Sequence, residues 1–263
     1  MAYELKKEAS VPRKGSVFYM AAPFDEEMKL FEEKGLKLIS AKDLAYARIK
    51  LGKDHSVSQN GSWVREGDLY VPERLAGKAS IVLLRDSLVL EEPEGAVKAH
   101  RRGKEAKIVD DKAKSIFEDA KKGSKDYHIL ESTDAIPTNR FGENSTAVFL
   151  FGKHAQDYGL FLKDAKINAM PLYFDGKDHI NSEGPYFNQL WLGRLGNSSF
   201  IYGSNWNLNL SSGARGVQSA AEGGRAEKPS VEAYTSKQIS KALKQLKLNG
   251  LEEAVLKALK GKN

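Results

Sequence analysis

The chain has 263 residues, 41% of them hydrophobic and 29% charged, with a formal net charge of +6 and no cysteine. That balance excludes a disordered chain, and the missing thiols exclude disulfides, thiolate catalysis and cysteine-ligated zinc or iron–sulfur clusters. The positive excess favours anionic partners such as nucleic acid, nucleotides or acidic proteins, although lysine and glutamate in quantity also serve surface stability alone.

Residues 1–15 are polar, carry Pro12 and Gly15, and read as a loosely tied leader. Residues 16–22 form an apolar run of strand type. Asp25 then opens a helix whose inner side is marked by Phe24, Met28 and Phe31, and Gly35 closes it. Residues 36–39 make a second strand and 41–51 a second helix, with Leu44, Ala45, Arg48 and Ile49 at helical spacing. A strand–helix–strand unit of this length points to an α/β architecture. From 52 to 67 the apolar pattern vanishes, and residues 53–63 read as a polar loop of the kind that is functional or mobile. Strands are expected at 68–72, 80–84 and 87–90. Helices are expected at 93–104 and 112–122, with a strand at 106–109 between them.

The second half is expected to repeat the opening plan, with strands at 127–130, 147–151 and 170–174 and a helix over 154–165. Val17 and Phe18 line up with Val148 and Phe149, yet any two such units look alike with or without duplication. The Asn- and Gly-rich segments after Phe174 read as antiparallel strands. Residues 211–229, rich in Ser, Gly and Ala, read as a linker. Beyond it Thr235 and Gln238 fit a capping box. Two amphipathic stripes follow, Ile239, Leu243, Leu246 and then Leu251, Val255, Leu259, broken at Asn249 and Gly250, with lysines outside.

Four places can carry chemistry. The 128–144 loop follows a strand, where α/β proteins hold ligands. In it Glu131 and Asp134 can act as base or metal ligands, and Arg140 can grip a phosphate or carboxylate; the plainer reading pairs Arg140 with Glu143 on the surface. Gly152, Lys153, His154 and Asp157 resemble a phosphate-cradling helix entry but lack the spacing of a Walker or dinucleotide loop. Lys98, Arg101, Arg102, Lys104 and Lys107, with His100 among them, form the densest positive run, suited to phosphates. Aromatics beside amides at 186–191 and 202–207 suit stacking on bases or sugars as well as core packing, and Trp206 is the one expected to be exposed. His55, His100, His128, His154 and His179 are too scattered to predict a metal site, and no cofactor motif is found.

The expected fold is α/β: a mixed β-sheet with flanking helices and a C-terminal amphipathic helical hairpin. Its expected organisation is an N-terminal α/β unit at 1–110, a second at 111–210 sharing or abutting the same core, a linker at 211–229 and the hairpin at 230–263. The leading functional expectation is a nucleic-acid-binding protein acting through the basic run, the cationic hairpin and exposed aromatics. The alternatives are a small enzyme acting on a nucleotide or phosphorylated metabolite through the 128–144 loop, and a structural protein that assembles with itself through the hairpin. With no apolar run near the roughly 18 residues of a membrane span and no signal-peptide core at the start, a cytoplasmic protein without membrane contact is expected.

Overall fold

The computed structural model describes residues 3–12, 14–196, 199–203, 208–209 and 212–218. The chain divides into two compact units, Met1–Ser219 and Ala220–Asn263. The hairpin expected at 230–263 lies outside the described residues. In chain order the first half forms β1 (Lys6–Val11), β2 (Gly15–Ala22), α1 (Phe24–Glu33), β3 (Lys37–Leu38), α2 (Ala41–Leu51), α3 (Ser56–Gln59), β4 (Ser62–Val71), α4 (Glu73–Ala76), β5 (Ser80–Leu84), α5 (Pro93–Arg101) and β6 (Ala106–Lys107). Then come α6 (Asp110–Lys121), β7 (Tyr127–Ile129), β8 (Ile136–Pro137), α7 (Ser145–Phe151), α8 (Ala155–Asp164), β9 (Ala169–Met170), β10 (Leu172–Tyr173), α9 (Lys177–Glu183), β11 (Tyr186–Leu192), β12 (Ile201–Tyr202) and β13 (Ser212–Gln218).

Helices flank one large mixed sheet, so the α/β expectation holds. Its path runs β1-β2-β13-β4-β11-β12-β10, with β3 on β13, β5 between β4 and β7, and β6 on β11. The pairs are antiparallel except β13 with β4 and β10 with β12. Strands from both halves of the sequence thus interleave in one sheet. None of the described helices is long and apolar enough to cross a membrane.

Local signals place several elements where the sequence predicts them. Ser40 caps α2 by accepting the Asp43 N–H at 3.1 Å, and Gly52 ends that helix at a φ of 88°, a left-handed backbone that glycine tolerates. Phe24 and Phe31 turn the apolar stripe of α1 inward.

Five expectations are corrected. The leader 1–15 contains β1, which pairs with β2 as a sheet edge. Residues 87–90 form a 3₁₀ turn capped by Ser87 instead of a strand.

Residues 147–151 lie in a helix, α7, capped by Asn144, whose Oδ1 accepts the Ala147 N–H at 2.9 Å. A five-residue apolar run has no period that separates buried helix from buried strand. Here Phe149, Leu150 and Phe151 are buried, and Phe151 packs on Phe141 and Tyr158. With that strand gone, the resemblance between the two halves disappears.

The predicted polar loop 53–63 contains α3 and the first two residues of β4, a strand buried at every position except Arg65. Two of its backbone carbonyls are satisfied from the side. The Gln189 side-chain amide donates to the carbonyls of Val64 and Glu66. Two buried arginines pin the approach to it: Arg48 donates to the carbonyls of Val57 and Asn60, and Arg215 to those of Ser56 and Gly61.

The linker expected from 211 begins instead as β13, seven residues in register with β2. Small residues are required there because Tyr19 lies across the strand. A Cβ on Gly213 would sit 2.3 Å from that ring.

Candidate binding surface

The 128–144 loop brings two of its three predicted residues together. Glu131 and Arg140 line a shallow cleft of about 260 Å³ with Pro137, Glu143 and Asn144. Arg140 lies 3.8 Å from Glu143, both well exposed. Asp134 is turned into its own loop, where its Oδ2 accepts the Ser132 hydroxyl at 2.7 Å. Among the described residues no three His, Asp or Glu side chains gather as a metal site would require.

The basic run sits at the C-terminal end of α5 and in the turn after it. Lys98, Arg102 and Lys104 are exposed. Arg101 pairs with Asp25 at 3.6 Å and Lys107 with Glu183 at 2.6 Å. Glu91, Glu92 and Glu94 precede these cations at the other end of the same helix. Trp206 lies outside the described residues.

The sequence did not signal what the sheet edge shows. The parallel pairing of β10 with β12 puts Tyr173 beside Tyr202, and Phe200 closes the group. Ring centroids are 5.4 Å apart for Tyr173 and Phe200, 6.0 Å for Tyr173 and Tyr202, and 6.1 Å for Phe200 and Tyr202. Tyr173 is 48% exposed, and the other two are partly exposed. Three aromatic rings in mutual contact yet open to solvent offer broad contact area at little cost in side-chain entropy.

A buried polar network fastens this edge. Gly203, directly after β12, donates its N–H to the Tyr173 carbonyl at 2.9 Å. Its own carbonyl accepts the Tyr70 hydroxyl at 2.7 Å and the Asn188 side-chain amide at 3.0 Å. Asp68 Oδ1 accepts the Asn188 N–H at 3.1 Å, and Tyr70 stacks on Tyr186 with centroids 4.4 Å apart. Tyr186 donates to Asp175 at 2.9 Å.

Burial, followed by the nearby Asp175, pushes the Asp68 carboxyl well above the usual carboxylate range. Burial and Asp175 likewise hold the Tyr186 phenol far above its ordinary value, so it stays a donor. Downstream, Leu208 is buried and its carbonyl accepts the Phe24 N–H at 2.9 Å.

The network predicts the cost of a single methyl group. A Cβ on Gly203 would fall 1.9 Å from Asp68 Oδ2 and 2.3 Å from the Phe174 ring. Gly203→Ala is expected to destabilise by about 1–3 kcal/mol through overpacking. Scanning calorimetry should then show Tm lowered by roughly 5 °C; an unchanged Tm would mean the contact relaxes freely.

No family model matches the chain, and no curated protein matches it. Among solved structures, one described as "Accommodation of massive sequence variation in Nanoarchaeota by the C-type lectin fold" superposes with a TM-score of 0.57 at 19% identity. The match covers 79% of this chain and 100% of that one. The fold resembles the C-type lectin fold.

Proposed function

We propose that this chain is a recognition module that binds a peptide or protein surface through the aromatic edge of Tyr173, Phe200 and Tyr202, which residues 204–207, carrying Asn and Trp, follow in the sequence. The observation that carries this reading is the placement of partly exposed aromatic rings on a strand pair whose following residue, Gly203, is held by Tyr70 and Asn188 from within. Rigid aromatic anchors next to adaptable amides are the composition of surfaces that bind proteins. The C-type lectin structure described as accommodating massive sequence variation supports it further, since a clamped frame leaves the residues above it free to differ.

A random peptide library, selected on the immobilised chain, tests the reading. Binders should lose about tenfold or more in affinity for the Tyr173→Ala/Tyr202→Ala variant, a loss of at least about 1.4 kcal/mol. The variant should keep its Tm within about 2 °C, because neither ring is fully buried. Repeated selections whose binders ignore the variant would refute the proposal.

A second reading, nucleic acid on the basic run, is favoured by Lys98, Arg102 and Lys104, which have no carboxylate within ion-pair distance among the described residues. Removing the three would then lower the salt slope of binding to a single-stranded oligonucleotide by about 2.

A further inference from the structure

Five cations from five separated stretches of chain meet at one cleft away from the aromatic edge. Lys42 stands in the first turn of α2, Arg65 on β4, Arg85 past the end of β5, Lys125 ahead of β7 and Lys153 after α7. All five line a concavity of about 650 Å³, within the range of small-ligand sites. Some of the acids nearby are already engaged. Asp43 pairs with Lys14 at 2.5 Å and Asp86 with Arg65. Among the described residues, no carboxylate lies within ion-pair distance of Lys42, Arg85, Lys125 or Lys153. Arg85 is further held in place by the Phe149 ring, 4.1 Å from its guanidinium carbon.

The lining sets these five cations against four carboxylates, Asp43, Glu66, Asp86 and Asp126; with Asp43 paired to Lys14 and Glu66 tied to the Ala41 N–H, the positive excess favours an anion there. Guanidinium forks and lysine point charges are the groups that hold phosphate. A consecutive basic run such as that after α5 suits an extended polymer, whereas cations drawn from five directions of chain suit a compact multivalent anion. We propose that this cleft binds a small phosphoryl-bearing ligand of about pyrophosphate size, held by Lys42, Arg85, Lys125 and Lys153 and bordered by Arg65 and the buried Glu66.

Glu66 couples the site to pH. Its Oε2 accepts the Ala41 N–H at 2.7 Å, so the protein's own carboxyl already occupies the first turn of α2. When charged it opposes an incoming anion; when protonated it does not. Burial raises its pKa to about 7, against the lowering effect of the Ala41 N–H, Arg85 and Arg65. The other charged groups facing this region are Lys42, Asp43, Asp86, Lys125, Asp126 and Lys153. His154 beside them is shifted down by burial and by Lys153. Anion affinity should therefore rise as pH falls from about 8 to about 6.

Titration calorimetry with inorganic pyrophosphate tests the site. Lys125→Ala/Lys153→Ala, at two exposed positions, should bind about tenfold more weakly or worse, while Lys98→Ala/Arg102→Ala should bind as the parent does. Sulfate, whose charge is constant across the range, tests the pH coupling: its affinity should rise on acidification, and Glu66→Gln should flatten that rise. No saturable pyrophosphate binding, or equal binding by the lysine variant, would overturn the site. A dT oligonucleotide that binds this cleft more tightly than pyrophosphate would overturn the small-ligand assignment. A sulfate pH profile unchanged in Glu66→Gln would overturn the coupling through Glu66 and assign it to His154.

Discussion

Arg215→Ala is expected to destabilise the first unit by about 3–5 kcal/mol, lowering Tm by roughly 10 °C. Arg215 has no exposed surface. Its Nε and Nη2 grip the Glu8 carboxylate at 2.6 and 2.9 Å, Nη1 reaches the Gly61 carbonyl at 2.9 Å, and Nη2 also reaches that of Ser56 at 3.3 Å. The guanidinium also lies over the Tyr19 ring at 5.0 Å. Removing it leaves the Glu8 side chain, only 8% exposed, without its counter-ion, together with carbonyls that have lost their donor. The penalty comes from those stranded partners more than from the lost attraction. Arg215→Lys should recover only part of the loss, because an ammonium cannot span a carboxylate and two carbonyls in one plane. Calorimetry on the three proteins checks this. Full recovery by lysine would show that charge alone, without the fork, holds β1 and the approach to β4 in place.

The second large effect is a stability that depends on pH through Glu66. The side chain is 2% exposed, and its carboxyl titrates near 7 in the folded protein against an ordinary value of 4.5. A raised pKa means that the folded state holds the proton more tightly than the unfolded chain. The associated stability is present in full below the ordinary value and is lost as pH climbs through about 7. Between about pH 5 and pH 8 the loss amounts to roughly 2–3 kcal/mol. Glutamine keeps an oxygen for the Ala41 N–H and cannot ionise. Glu66→Gln should therefore gain that much relative to the parent over the same interval, as read from urea unfolding at the two pH values. A difference between the two proteins that stays constant with pH would show that Glu66 does not carry a raised pKa.

Much of the framework was legible from local order alone. The stripe of Phe24 and Phe31 and the spacing of Leu44, Ala45, Arg48 and Ile49 each mark a helix that forms where periodicity predicts it. The runs at β2 and β5 are apolar enough to read as buried strands; the α/β class followed from the strand–helix–strand opening, and the mixed sheet from the Asn- and Gly-rich segments after Phe174. The candidate surface was legible only in fragments. Tyr202 belonged to a singled-out segment, Tyr173 to an apolar run, and nothing in either announced the other.

The sequence by itself determined which stretches must bury an apolar face, that thiol chemistry is absent, and roughly where the periodic helices lie. Those properties depend on residues within a turn or two of one another. Tertiary structure alone decided that the polar stretch opening β4 is a buried strand, that β13 is a strand and not a linker, and that 147–151 coils. It also decided that Tyr173 meets Tyr202 and that five distant cations share one cleft. Each of these depends on a partner far along the chain, such as Gln189 for Val64, Tyr19 for Gly213 or Arg215 for Glu8. A polar or small residue is stable in the interior only when that partner arrives, so its place is a property of the assembled sheet.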